Sequence, residues 1–263
     1  MGIVNVTPDS FSDGGRFFST ESAVAHARRL VAEGADLLDV GGESTRPGAE
    51  PVDEDEQRRR TAPVIAGIRS AGIAQPIFVD TRKAGVAAAA LDAGATGIND
   101  ISAFRDDPGM AVLVAERRVP VVLMHMRGTP ATMQAAPAYA DVVAEVVAFL
   151  RERIAFATAA GVRPACIAVD PGIGFGKTTE HNLELLRRVD ALLSLNKPVL
   201  IGPSRKRFLG EILGLPQPAD RDTATLGAVA AAVLGGAAVV RVHEVAAVRQ
   251  IVALCSAIRR GRP

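Results

Sequence analysis

The sequence is poor in aromatic residues and has almost no net charge. It contains no tryptophan, one tyrosine and nine phenylalanines, and its 30 basic residues are balanced by 29 acidic ones, for a formal net charge of +1. Proteins that bind nucleic acids offer a basic surface to the phosphates and often aromatic rings to the bases. We therefore expect no nucleic-acid partner.

Long lipophilic runs and cysteine clusters are also missing. Apolar stretches such as residues 228–242 are rich in alanine and glycine, and a membrane span needs about 20 lipophilic residues. The chain does not open with a basic and then apolar leader, so we expect no membrane partner and a cytoplasmic location. Cys166 and Cys255 lie in apolar surroundings without the spacing of a metal site, which indicates buried free thiols in a reducing compartment.

Short β-branched runs alternate with longer helical stretches along the whole chain, as in parallel βα units. Eight such units within 263 residues favour an α/β fold, a single-domain (β/α)8 or TIM barrel over residues 1–263, rather than an open sheet. The predicted strands are 2–6, 36–40, 76–80, 97–99, 119–124, 166–170, 198–201 and 238–242.

The predicted helices include 21–32, 53–70, 83–93, 141–159, 181–193 and 225–235. Asp53 is typical of an N-cap, and the acidic residues after it suit the helix dipole. Glycines follow four of the helical stretches, at Gly34, Gly94, Gly161 and Gly236, and predict left-handed C-terminal caps. Residues 126–139 form a long connection that contains proline, and we expect a mobile loop above the barrel.

Polar residues stand at all eight predicted strand exits. Chemistry in such barrels gathers where the strands run into the following loops, so these residues are expected to assemble one site. They are Asn5, Asp39 with Glu43 to Arg46, Asp80, Asn99 with Asp100, His125, Asp170, Ser204 to Lys206, and Arg241 with His243.

Several familiar motifs fail on inspection. Gly176-Lys177-Thr178 ends like a phosphate-binding P-loop, but Pro171 stands where that motif needs its first glycine. Gly172 and Gly174 begin a dinucleotide fingerprint, but Lys177 replaces its third glycine. A Schiff-base role for Lys206 stays possible, although the two flanking arginines fit an anionic or carbonyl ligand equally well.

The last strand points to phosphate. Alternation along a strand places Arg241 and His243 on the same side, and phosphate sites recur near strands seven and eight of these barrels. Asn5 leaves strand one, which neighbours strand eight in a closed barrel, and its side-chain oxygen could serve Mg²⁺. Capping of a turn before Thr7 and Pro8 is an equal alternative for Asn5.

Asp80, Asn99 and Asp170 are expected on the opposite side of the mouth. A carboxylate accepts two adjacent N–H donors in one plane, and an amide both donates and accepts. This side therefore suits a flat, amino-substituted nitrogen heterocycle.

With these exits assembled, the chain resembles the dihydropteroate synthases from its first residues to its last helix. The segments that carry the resemblance are 1–15 (MGIVNVTPDSFSDGG), 39–48 (DVGGESTRPG), 79–81 (VDT), 99–100 (ND), 123–126 (LMHM), 170–177 (DPGIGFGK), 204–206 (SRK) and 241–243 (RVH).

The resemblance implies a transferase of folate biosynthesis. It would join 6-hydroxymethyl-7,8-dihydropterin diphosphate to 4-aminobenzoate, with help from Mg²⁺, and release 7,8-dihydropteroate and diphosphate. It also implies a homodimer, small-molecule substrates and binding of sulfonamides in the aminobenzoate pocket.

Site roles follow from the same resemblance. Asp80, Asn99, Asp170, Lys206 and Arg241 would bind pterin. Asn5, Thr45, Arg46, Arg241 and His243 would bind diphosphate, with Asn5 as the metal ligand. Phe11, Thr45, Pro47, Phe175, Lys206 and Arg207 would bind aminobenzoate. The implied catalytic residues are Asp170, Lys206, Arg241 and His243.

The implied reaction needs charge stabilisation more than a strong base. Diphosphate would leave ahead of attack by the weakly nucleophilic amine, and the first two loops would close over the substrates, with Asp13 pairing with Arg46. No general base is assigned.

The chain departs from the family pattern in two places. The segment that usually precedes strand one is missing, which predicts an incomplete N-terminus, and Arg207 stands where many relatives have serine. Two alternatives stay open: a pterin-barrel methyltransferase, which would not need the diphosphate residues, and a relative that binds pterin without turnover.

Overall fold

Eight short parallel strands alternate with helices in the part of the chain that the computed structural model describes, residues 1–7, 20–44 and 49–262. Six of the eight are short apolar runs that end in or just before a polar residue, and the other two, at 38–41 and 200–201, are followed by glycine. The strands are β1 (Gly2–Asn5), β2 (Leu38–Gly41), β3 (Ile77–Asp80), β4 (Gly97–Asp100), β5 (Val121–Met124), β6 (Ile167–Asp170), β7 (Leu200–Ile201) and β8 (Val239–Val240).

The strands close into a ring. Strands β1 to β6 pair in chain order as one parallel sheet, and β7 pairs with β8. The amide of Val169 donates to the carbonyl of Pro198 at 2.9 Å, which joins β6 to β7, and the amide of Ile3 donates to the carbonyl of Val242 at 3.0 Å, which joins β8 to β1. The predicted (β/α)8 barrel is confirmed.

Helices surround this ring, because each connection between parallel strands must cross back over the sheet. Their buried residues face the strands and form one large apolar core with them, of which Leu30, Ile65, Ile98 and Leu150 are fully buried members. The helices are α1 (Thr20–Ala32), α2 (Glu54–Ser70), α3 (Ala84–Asp92), α4 (Gly109–Arg117), α5 (Val142–Ala159), α6 (Thr179–Arg187), α7 (Val189–Leu192), α8 (Arg207–Leu213), α9 (Asp222–Gly235) and α10 (Val245–Arg260).

The helix ends follow the sequence signals. Asp53 caps α2 and accepts a hydrogen bond from the amide of Glu56 at 2.8 Å. The four glycines predicted to end helices all have positive φ angles, between 94° and 110°, a region that favours glycine because other residues carry a Cβ atom. These turns return the chain to the next strand.

The structure also adds detail that the sequence did not predict. Helices α4, α8 and α10 were not among the predicted helices, and β7 and β8 are shorter than expected. Cys255 is buried, whereas Cys166 is only half-buried, and both are free thiols. Within the described residues, no helix has the length and apolar character needed to cross a bilayer.

Candidate active site

A cavity of about 990 Å³ opens at the carboxyl ends of the strands. Side chains from both ends of the chain line it, because β8 lies beside β1 in the closed ring. The predicted site residues on its wall are Asn5, Asp80, Phe175, Lys206, Arg207, Arg241 and His243.

Arg241 is held at the base of the cavity by two carboxylates. Its Nε lies 2.5 Å from Asp39 Oδ2, and its Nη2 lies 2.9 Å from Asp80 Oδ2. Burial opposes the guanidinium charge, but these carboxylates outweigh it and raise the pKa of Arg241. Burial and the charge of Asp39 raise the pKa of Asp80, in spite of its contact with Arg241. Asp39, Asp80 and Arg241 thus form one cluster, so the expectation that Asp80 lies opposite Arg241 across the mouth is wrong.

Asn99 extends this cluster from β4. Its Nδ2 lies 3.4 Å from Asp39 Oδ2, while its buried Oδ1 has no hydrogen-bond partner among the described residues. A buried carbonyl oxygen without a donor is costly. The amide is therefore suited to accept a hydrogen bond from a bound molecule.

Asp170 ends β6 and is almost fully buried. Its Oδ1 accepts a hydrogen bond of 2.7 Å from the amide of Gly172. Burial raises the pKa of Asp170 to about 6, although the hydrogen bond from the Gly172 amide and the positive charges of Lys206 and Lys177 oppose this shift. The carboxylate is charged at neutral pH and can bind a donor group.

Lys206 and Phe175 form a contact across the mouth. The Nζ atom of Lys206 lies 4.1 Å from the centre of the Phe175 ring, within the range of a cation–π interaction. Burial, aided by the positive charge of Arg241, lowers the pKa of Lys206 to about 8.

His243 is oriented by Ser204. The Ser204 hydroxyl accepts a hydrogen bond of 3.2 Å from the His243 amide and lies 2.9 Å from the ring Nδ1. Together the two contacts fix the orientation of the imidazole ring beside Ser204.

Arg207 is the most exposed of the predicted site residues that the structure describes. Its side chain is 73% exposed, and its Nε lies 2.6 Å from Glu211 Oε1. The remaining predicted site residues, Phe11, Thr45, Arg46 and Pro47, lie outside the described residues, as does Asp13.

Five of the described residues at the predicted exits are not part of the cavity wall: Asp39, Asn99, Asp100, His125 and Asp170. Asp100 accepts hydrogen bonds from the amides of Ser102 and Phe104 and thereby shapes the loop after β4. The ring of His125 is buried, and its Nδ1 lies 3.0 Å from Lys177 Nζ, which also donates to the carbonyl of Phe175 at 2.9 Å.

The glycine-rich segment after β6 packs against protein backbone. A Cβ atom on Gly172 would lie 1.9 Å from the carbonyl oxygen of His125, and one on Gly176 would lie 2.6 Å from that of Arg127. The glycines are thus explained by this close approach. The structure supports the rejection of the P-loop and dinucleotide motifs.

No binding role was predicted for Asp39 or Lys177, and among the described residues of the cavity's apolar wall only Phe175 received one. That wall is part of a buried cluster of Ile101, Met124, Met126, Met133 and Phe175. Met124 and Met126 flank His125 with the spacing of two that could have indicated a shared face. Residues 126–139 contain no helix or strand, as predicted, and they contact the β6–α6 loop, where Gln134 donates to the carbonyl of Gly174.

Known proteins resemble the whole chain. The sequence profile of the family described as "Pterin binding enzyme" matches residues 1–243. Dihydropteroate synthase from Synechocystis sp. is 45% identical over 260 residues, which cover 99% of this chain and 90% of that protein.

Solved structures agree with this likeness. Xanthomonas albilineans dihydropteroate synthase with 4-aminobenzoic acid is 50% identical, covers 100% of this chain and 93% of its own, and superposes with a TM-score of 0.92. The same enzyme in complex with 7,8-dihydropteroate is 47% identical at the same coverage, with a TM-score of 0.88.

The cavity, its carboxylate and guanidinium cluster and these similarities lead to one conclusion: the chain belongs to the pterin-binding enzymes and, within them, to the dihydropteroate synthases, transferases of folate synthesis.

Proposed function

We propose that the chain condenses 6-hydroxymethyl-7,8-dihydropterin diphosphate with 4-aminobenzoate, giving 7,8-dihydropteroate and diphosphate. The observation that carries this proposal is the single cavity that Asp80 and Arg241 share with Asn5 and His243. One substrate with a heterocycle at one end and a diphosphate at the other fits a cavity that combines carboxylate, guanidinium, amide and imidazole groups. The aminobenzoate and the dihydropteroate bound to the Xanthomonas relative support the same two substrates.

The pterin ring is assigned to the acidic side. Asp170 and Asp80 would accept hydrogen bonds from ring N–H and amino groups, and the unpartnered Asn99 Oδ1 would accept another. Lys206 would donate to a ring acceptor. Arg241, already fixed by Asp39 and Asp80, would lie against the ring and reach towards the diphosphate.

The diphosphate is assigned to Asn5, Arg241 and His243, with Thr45 and Arg46 completing its contacts from outside the described residues. A guanidinium binds phosphate oxygens through paired hydrogen bonds, and a ring N–H of His243 would supply a further donor.

Mg²⁺ is proposed as the cofactor, with Asn5 as its protein ligand. Asn5 lines the cavity, and no cluster of three or more His, Cys, Asp or Glu side chains suited to a metal occurs in residues 1–7, 20–44 and 49–262. This donor set fits a hard cation that keeps most of its waters and takes the rest of its ligands from substrate phosphates. When bound, the cation would neutralise negative charge on the diphosphate.

Aminobenzoate is assigned to the outer part of the mouth. Phe175 would pack against its ring, and Lys206 and Arg207 would attract its carboxylate, with Phe11, Thr45 and Pro47 contributing from segments that the structure does not describe. Sulfonamides are proposed to occupy the same pocket.

The mechanism we infer separates departure from attack. Arg241 and His243 would stabilise the charge that collects on the leaving diphosphate, while Asp170 would favour the cationic methylene delocalised into the pterin ring. Lys206 would hold both rings so that the neutral amine meets the methylene. On attack the amine nitrogen forms the new bond to the methylene and becomes an acidic anilinium, which would lose its proton to solvent water, so no side chain is required as a strong base.

We further propose a homodimer and a cytoplasmic location. Neighbouring helices α9 and α10 expose Leu234, Leu254 and Ile258, which suits contact between copies. The two free cysteines suit a reducing compartment.

Release of diphosphate tests the proposal. Purified protein with Mg²⁺ and the pterin diphosphate should release diphosphate and form dihydropteroate when 4-aminobenzoate is added. The assay is run with and without 4-aminobenzoate. Binding of pterin with no release of diphosphate in either case would indicate a binding protein without turnover. Transfer of a methyl group from methyltetrahydrofolate would instead favour the methyltransferase.

A further inference from the structure

Arg205 stands between two residues of the proposed site, but its side chain is paired with residues of other elements. Its Nε and Nη2 lie 2.7 and 2.8 Å from the two carboxylate oxygens of Asp222, and Nη2 is also 3.2 Å from Glu244 Oε1. The two parallel bonds fix the orientation of the guanidinium plane. These partners take up three of the hydrogen bonds that the guanidinium could otherwise donate to a bound anion.

The backbone of Arg205 is held as firmly as its side chain. Its amide donates to Thr225 Oγ1 at 3.1 Å, and its carbonyl accepts from Arg221 Nη1 at 3.1 Å. Its φ angle is +57°, a left-handed conformation that is unfavourable for a residue other than glycine unless the surroundings impose it. The contacts from Arg221, Asp222 and Thr225 do so.

The side chain of Arg221 is itself held in place by hydrogen bonds to backbone carbonyls. It is buried, and its Nε donates to the carbonyl of Leu215 at 2.9 Å, while Nη2 donates to the carbonyl of Pro216. Gly210 leaves room for this guanidinium, because a Cβ atom there would lie 2.6 Å from Arg221 Nε. The start of α9 is thus tied to both ends of α8.

The backbone conformation of Arg205 sets the directions of the side chains of its two neighbours in the chain. Lys206 follows Arg205 and lies over the Phe175 ring, and Ser204 precedes it and orients the His243 ring. A change in the φ angle of Arg205 would rotate these two side chains relative to each other.

We propose that Arg205 is a positioning residue, held by Asp222 and Arg221, that sets Lys206 against the aromatic substrates and Ser204 against His243. This inference rests on the proposed function, because Lys206 and His243 take their roles from it. The acidic partner Asp222 lies outside that set of binding residues, so it offers a way to disturb the turn without removing a group that touches substrate.

The test replaces Asp222 and measures steady-state kinetics for both substrates. Asp222→Ala is expected to lower kcat/KM for each substrate about tenfold, since small displacements of positioned groups cost this much or more. Asp222→Glu, which keeps a carboxylate, should recover most of the loss. The control is Asp92→Ala, which removes an exposed ion pair of the same 2.7 Å length with Arg117 and should leave both values unchanged.

Wild-type kcat/KM in Asp222→Ala would overturn the inference, whatever the change in melting temperature. A crystal structure of Asp222→Ala provides a second measurement that does not depend on turnover. It should show Lys206 displaced from Phe175 or Ser204 from His243, and retention of both contacts would also overturn the inference. If the wild-type protein itself releases no diphosphate, the proposed function fails, and the crystal structure still decides whether Arg205 positions its neighbours.

Discussion

The acidic and cationic residues of the site are held in place in different ways. Asp80, Asn99 and Asp170 belong to strands, and the sheet itself fixes them: Asp80 pairs in register with Asn99, and Asp170 with Met124. Lys206 and His243 follow strands of only two residues, and side-chain contacts with Phe175 and Ser204 hold them instead. Hydrogen bonds between the strands preorganise the acidic side, whereas side-chain contacts must preorganise the cationic side.

The largest effect is expected from Asp170→Asn. An amide can still accept from the Gly172 amide, so the fold should persist, but the lost charge should weaken pterin binding about 100-fold, as for a hydrogen bond to a charged group. Calorimetric titration with a pterin analogue measures this effect. Unchanged affinity would remove Asp170 from the pocket and break the assignment of the acidic side.

His243→Ala should affect the other side alone. The loss of one donor to the diphosphate is expected to lower kcat/KM for the pterin diphosphate about tenfold, while affinity for dihydropteroate, which lacks diphosphate, stays within about twofold. Equal losses for both ligands would contradict the division of the cavity.

The acidic residues, for which the largest effect is expected, were also the easier ones to predict from the sequence. Asp80, Asn99 and Asp170 were predictable because each one stands at or next to the end of a buried apolar strand, where a polar side chain has no packing role. Asp39 was noted at a strand exit but received no binding role, because its partner Arg241 lies 202 residues further along the chain. The closed ring that brings them together is a tertiary feature.

The contacts of the cationic side were harder to predict for the same reason. Nothing in the local sequence shows that Arg205 pairs with Asp222, or that Lys177 reaches the His125 ring. The charges of Arg205 and Lys177 suggested that they bind ligands, but in the structure both pair with other groups of the protein. The alternation of the strands and the glycines at helix ends, by contrast, depend on local chemistry, so the barrel itself was predictable.

Acidification should weaken pterin binding. The pKa of Asp170 in the free protein is raised to about 6, and the bound state needs the charged carboxylate, so protons compete with the ligand below that pH. The dissociation constant should rise about tenfold from pH 7 to pH 5 as Asp170 is protonated, and Asp80, whose pKa is raised to about 7, should begin to weaken binding already between pH 8 and pH 7. Asp170→Asn is the control, with a smaller dependence on pH, and a flat wild-type profile would contradict the role of its charge.

The smallest effect is expected from Arg207→Ser. The side chain is largely exposed and paired with Glu211, and exposed ion pairs contribute little. KM for aminobenzoate should change by less than about threefold. An increase of tenfold or more would show that Arg207 leaves Glu211 to bind the benzoate carboxylate.

A crystal structure with pterin and diphosphate bound together tests most directly whether the two sides serve one substrate. The account predicts the ring edge on Asp170 and Asp80, and the diphosphate beside Asn5 and His243 in the same cavity. Ligands that occupied separate cavities, or a diphosphate bound on the acidic side, would contradict it.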